Sequence, residues 1–72
     1  MSENASVKPQ SRTGQVAETW GNLLLPAGKL AVHDRFVFDG EEAVPFEVKR
    51  VLYWPLDASQ RLYYYESTKR HG

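Results

Sequence analysis

The chain has no cysteine, which excludes a disulfide framework, a thiol nucleophile, an iron–sulfur cluster and any zinc site built on thiolates. It has no excess of either charge: nine Lys and Arg balance nine Asp and Glu across 72 residues. That balance argues against a dedicated duplex-DNA binder, which usually carries a basic surplus. Long apolar runs are missing as well. The run Leu23, Leu24 and Leu25 stops at Pro26, and no apolar run exceeds four residues, far short of the ~20 residues that cross a bilayer. The opening residues contain no apolar stretch of signal-peptide type. A cytoplasmic chain without membrane association is expected. The glycines are isolated rather than gathered into a phosphate loop. His33 and His71 are not spaced with carboxylates as metal ligands would be. No metal, no cofactor and no catalytic residue is therefore expected.

What remains is a single small domain with little core to spare, since chains below roughly 70–80 residues barely offset their own ordering entropy. Residues 1–14 contain only Met1, Ala5 and Val7 as apolar residues. They read as a disordered arm preceding one domain at 15–72. Val16, Trp20, Leu23 and Leu24 follow the i, i+4, i+7, i+8 spacing of a helix face, while an extended segment around the three leucines is the competing form. Pro26, Ala27 and Gly28 then read as a turn. The rest alternates in β fashion. The expected fold class is α+β, mostly β: a three-stranded antiparallel meander over about 29–38, 43–54 and 61–67. The short N-terminal helix or extended segment packs on one face of it.

Two charges interrupt the alternation and suggest a register. Leu30, Val32, Phe36 and Phe38 share a face that Asp34 interrupts; Val44, Phe46, Val48, Leu52 and Trp54 share one that Arg50 interrupts. Setting Phe38 opposite Phe46 places Asp34 opposite Arg50, and setting Trp54 opposite Leu62 places Arg50 opposite Glu66. An unpaired buried charge costs several kcal/mol, whereas an opposed pair contributes about 0.2–1 kcal/mol. The expectation is an Asp34–Arg50–Glu66 ladder that locks the register. A general acid–base role for Asp34 or Glu66 has no second reacting group in the sequence.

One local resemblance runs through this region. Gly28-Lys29-Leu30, followed by Pro45-Phe46-Glu47-Val48-Lys49-Arg50-Val51-Leu52-Tyr53, resembles the opening strands of cupin-type nucleotide-sugar 3,4-ketoisomerases. The resemblance implies paired β-strands here. Where that family places a histidine-containing segment, this chain reads Arg61-Leu62-Tyr63-Tyr64-Tyr65, so no catalytic role carries over.

The same registers leave an odd-numbered face of Tyr53, Tyr63, Tyr65 and Val51, extended by His33 and rimmed by Arg35 and Lys49. Such a tyrosine-rich, cation-rimmed patch suits a partner interface. Charge is also segregated: residues 34–47 hold five acids and one base, whereas residues 48–72 hold five bases and two acids. An acidic tip at Asp39, Glu41 and Glu42 would steer association with a basic surface. The functional expectation is a non-enzymatic protein that binds a larger protein machine and regulates or inhibits it by occupying a surface. Phage-type or accessory regulators of transcription complexes are the analogy. The competing expectations are a single-stranded nucleic-acid module stacking bases on tyrosines, and a homodimer that covers the patch.

Overall fold

Aromatic and β-branched residues gather in three stretches of the chain, and all three become strands, because such side chains pack well on a pleated surface. A computed structural model describes residues 5–13 and 19–68. Its strands are β1 (Ala5–Val7), β2 (Trp20–Pro26), β3 (Arg35–Phe38), β4 (Phe46–Tyr53) and β5 (Gln60–Ser67), with a 3-10 turn at Pro9–Ser11. They form one mixed sheet in the order β1-β3-β4-β5-β2. Strands at all three expected places lie side by side and antiparallel, but the first is strand only over Arg35–Phe38, with residues 29–34 outside it. The three are the middle of five rather than a free-standing meander.

Both ends of that sheet correct the sequence reading. The leucine segment is extended, not helical, from Trp20 on. It pairs antiparallel along the length of β5, with Leu23 and Leu25 turned to the core and Leu24 away from it. Period two wins because β5 offers a full ladder of backbone partners, which an isolated short helix lacks. The segment is an edge strand, not a layer on one face. Residues 15–18, where the helix was expected to begin, lie outside the described residues.

The expected disordered arm is ordered over residues 5–13. Ala5, Ser6 and Val7 pair parallel with Phe36, Val37 and Phe38, and Arg12 forms a bridge with Leu23 at the opposite edge. Val7 to Arg12 reaches at most ~18 Å. Five steps of ~4.8 Å across a flat sheet would need about 24 Å. The sheet therefore curls, and residues 8–13 strap its two edges together. Composition underrated this segment because one buried valine and one arginine anchor it, while the sheet edges supply its hydrogen bonds. Arg12 Nη2 donates to both carboxylate oxygens of Glu41 (2.9 and 3.0 Å), and its guanidinium carbon lies 3.8 Å from the centre of the Phe38 ring.

Inside the curl, Phe36, Phe38, Phe46 and Tyr65 form an aromatic cluster with ring centres 4.9–5.7 Å apart, mostly edge-to-face. Leu23, Leu30, Val48 and Tyr63 complete the buried set with Val7. Val32, expected in the core, is exposed.

Neither expected register is realised. Phe36 lies opposite Phe46, and Arg35 opposite Glu47, two residues away from the ladder register. Asp34 thus reaches Val48, whose N–H donates to the Asp34 carbonyl at 2.9 Å. The anticipated penalty does not arise, because the regular strand begins only at Arg35 and Asp34 is exposed. Its carboxylate instead accepts the Ala31 N–H at 2.9 Å, and His33 adopts a left-handed backbone, φ 77°.

On β4 the pairing slips at Lys49. Val48 lies opposite Tyr65, but Arg50 lies opposite Tyr64, Val51 opposite Tyr63 and Leu52 opposite Leu62. Lys49 is the extra residue of a β-bulge. Without it, Arg50 would take the inward position opposite Tyr63. The bulge turns Arg50 outward and Val51 inward, so that Val51 meets Tyr63; the Val48–Tyr65 pairing already sets Tyr63 and Tyr65, not Leu62 and Tyr64, toward the core. The Asp34–Arg50–Glu66 ladder does not form.

The two buried tyrosines are satisfied differently. Tyr63 donates to the Pro26 carbonyl at 2.7 Å, whereas the Tyr65 hydroxyl is buried without a hydrogen-bond partner. Burial pushes the Tyr65 phenol above its ordinary pKa. Removing an unpaired buried hydroxyl relieves a desolvation cost, while removing a paired one loses about 1 kcal/mol. Tyr63→Phe should therefore lower unfolding free energy in urea by about 1 kcal/mol, and Tyr65→Phe should leave it unchanged or raise it. The reverse order would contradict this core. Arg12→Ala should cost about 1–2 kcal/mol and Glu41→Gln less than about 1 kcal/mol, because the aromatic contact is less screened than the exposed ion pair.

Candidate interaction surface

The seven residues expected to form one patch are divided among three environments. Tyr63 and Tyr65 are fully buried and Val51 packs against the core. Tyr53 is exposed at the end of β4, with the Arg61 guanidinium 5.5 Å from its ring centre. His33, Arg35 and Lys49 converge instead on Glu47. His33 Nδ1 donates to Glu47 Oε2 at 3.2 Å. Lys49 Nζ lies 3.6 Å from that oxygen, and Arg35 Nε lies 3.9 Å from Oε1. The sequence pattern offers no signal for this cluster, since nothing in the alternation sets Glu47 apart from the other acids.

The residues of the acidic tip are exposed, and two of its acids have internal partners. Glu41 pairs with Arg12. Glu42 accepts the Gly40 N–H at 2.9 Å, which holds its carboxyl below the usual range. Asp39 is tied by its backbone to Val7. The basic residues Lys69 and Arg70 lie outside the described residues.

The surface that does carry grouped side chains is the outer face of β2, β5 and β4, on the side away from the aromatic cluster. Pairing aligns it in three rows across the strands. Leu24, Leu62 and Leu52 form one row; Asn22, Tyr64 and Arg50 the next; Trp20, Glu66 and Glu47 the third. Trp20 is 46% exposed and Leu52 43%. The Trp20 and Tyr64 rings are 6.1 Å apart and tilted by 46°. The Tyr64 hydroxyl donates to Glu66 Oε2 at 2.9 Å, and this bond is the main cause of the raised Tyr64 pKa.

Glu47 and Glu66 are directly opposite one another, a like-charge pair that would be destabilising if both acids were left bare. Each is drawn toward a separate partner set. For Glu47 the His33 hydrogen bond, then the charges of Lys49 and Arg35, hold the carboxyl below its ordinary value despite partial burial. Between the rows an open hollow is lined by Lys49, Arg50, Tyr64 and Glu66. Chemically this face offers an apolar row, two aromatic rings and a guanidinium. Among the described residues, no group of three or more His, Asp or Glu is placed to hold a metal ion. No helix there is long and apolar enough to cross a membrane.

Comparison with known proteins identifies no matching family model, curated protein or solved structure.

A carboxylate whose native pKa lies below its unfolded value stabilises the fold above the unfolded pKa, and that stabilisation is lost as pH falls through the native one. Melting temperature should therefore drop as pH falls below the ordinary Glu value of 4.5. Glu47→Gln should narrow the difference between melts at neutral and acidic pH. It should not abolish that difference, because Glu42 and Asp57 are also depressed, by the Gly40 and Ser59 hydrogen bonds respectively. An unchanged difference would remove Glu47 from the acid response.

Proposed function

We propose that this chain is a non-enzymatic protein that docks on a larger protein through the outer face of β2, β5 and β4, and regulates that protein by occupying its surface. The observation that carries the reading is the leucine row across three neighbouring strands, adjoining the Trp20 and Tyr64 pair. Single exposed apolar residues are ordinary, but a contiguous apolar patch is not. Trp, Tyr and Arg supply most interface hot spots, and all three occur on this face. The reading keeps the expected kind of partner and moves the contact from the odd-numbered tyrosines to the opposite face.

A nucleic-acid strand suits this face less well. Two aromatic rings and Arg50 favour stacking, but Glu47 and Glu66 stand in the same row as Trp20 and repel phosphates. The leucine row gains little from a sugar–phosphate backbone. A protein partner uses all three rows.

The test is capture from a lysate of the cell that expresses the chain, followed by affinity measurement with the purified partner. Leu52→Arg and Trp20→Ala should each weaken binding by about ten-fold or more, equivalent to about 1.4 kcal/mol, with unchanged circular dichroism and melting. Tyr53→Ala, on the other side of the sheet, should leave binding intact. Undiminished binding by the Leu52→Arg, Trp20→Ala double variant would overturn the reading. A concentration-dependent dimer abolished by Leu52→Arg would assign the face to a second copy instead.

A further inference from the structure

Arg50 is a guanidinium on this face whose charge acts on the neighbouring Tyr64 hydroxyl without a direct ion pair among the described residues. It is exposed and makes no hydrogen bond or ion pair among the described residues. The two nearby acids are engaged elsewhere: Glu66 accepts the Tyr64 hydroxyl, and Glu47 is surrounded by His33, Lys49 and Arg35. Arg50 opens instead onto the hollow it shares with Lys49, Tyr64 and Glu66. Lys49 adds a second cation at its rim.

Position makes this charge consequential. Arg50 and Leu52 are two residues apart on β4, with Tyr64 and Leu62 beside them on β5. Side chains two residues apart on one strand face are separated by roughly 7 Å. A partner that covers the leucine row therefore also removes water from Arg50. A guanidinium desolvated without an acceptor costs several kcal/mol, whereas a bidentate carboxylate satisfies it with charge-assisted hydrogen bonds.

Resting on the proposed protein-binding role, we propose that the docking partner presents an Asp or Glu carboxylate to Arg50, about 7 Å from an apolar side chain that packs on Leu52 and Leu62. The partner segment is thus acidic and apolar together. On an extended segment the acid and the apolar residue are two positions apart; on a helix they are one turn apart.

A random peptide library displayed on phage, selected against the immobilised full chain, tests this directly. The expected winners carry an acid at one of those spacings from Leu, Ile, Phe or Trp. Synthetic copies should lose about ten-fold or more in affinity for Arg50→Glu and for Leu52→Arg, both checked for native melting. Selection against Arg50→Glu should exchange the acid for Lys or Arg. Winners that need Leu52 but carry no acid, or that bind Arg50→Glu as tightly, overturn the carboxylate inference and leave the docking face standing. Winners insensitive to both substitutions, or no enrichment, overturn the inference; the insensitive class also counts against the face. Tight binding of a fluorescent oligo-dT strand that is lost in both Arg50→Glu and Trp20→Ala overturns it in favour of nucleic acid.

Discussion

The cost of taking an unpaired charge out of water governs how this sheet is built. Asp34 and Arg50 both fall at positions where strict alternation would aim them inward. A sheet can pair such charges across strands or break its own regularity to expel them. Pairing contributes at most about 1 kcal/mol, and its partners must still be desolvated. Expulsion costs a distorted backbone. For Arg50 the distortion is the Lys49 bulge, which forgoes regular ladder pairing at a net worth of about 1 kcal/mol per hydrogen bond. For Asp34 it is the late start of β3 at Arg35 and the left-handed His33, a conformation costing roughly 1–2 kcal/mol. Histidine is among the residues enriched there. Both distortions cost less than an unpaired buried charge, and the sheet adopts both.

The way β4 meets its neighbours follows from the bulge. It reverses alternation midway along β4, so Phe46 and Val48 point inward before it and Val51 points inward after it. The odd-numbered tyrosines of β5 can then meet all of them. The inward choice is also the better one for β5 itself, since Tyr63 and Tyr65 carry large apolar rings and no charge, while the alternative set ends in Glu66. The same step places Leu52 outside, level with Leu62 and Leu24. Leu52 thus joins the exposed apolar row as a consequence of keeping a cation out of the core. Arg12 follows a different route. It lies on the strap rather than in the middle of a strand, so its guanidinium sits on the Phe38 ring at the rim of the core while Glu41 satisfies its outer edge.

Much of the strand content was legible in the sequence, and the reasons are local. The turn residues around Gly40 and Pro55, together with the tyrosine-rich run, mark three strands near their observed places. Register was not legible, because the charge-pairing argument assumed unbroken strands, and an irregular backbone offers a cheaper way to dispose of a charge. An error in parity then inverted the faces: Tyr63 and Tyr65 were assigned to the surface that Leu62 and Tyr64 occupy. The order of residues 5–13 was hidden for a different reason. Its stability comes from two sheet edges that exist only after the rest of the chain has folded, and composition reports nothing about edges.

The neutral charge total takes on a different meaning in this light. The acidic tip was expected to steer a partner, yet Glu41 is paired with Arg12 and Glu42 with the backbone of its own turn. Those charges hold the fold, and their fields are largely cancelled or screened within a Debye length of about 8 Å. Glu47 is similarly surrounded by its three cationic or protonatable neighbours. Once these internal matches are made, specificity no longer depends on separated positive and negative ends. In the proposed docking role it concentrates at Arg50, a guanidinium set between a leucine row and two aromatic rings, where the desolvation cost that shaped the sheet would recur on binding and favour a partner that supplies an acceptor.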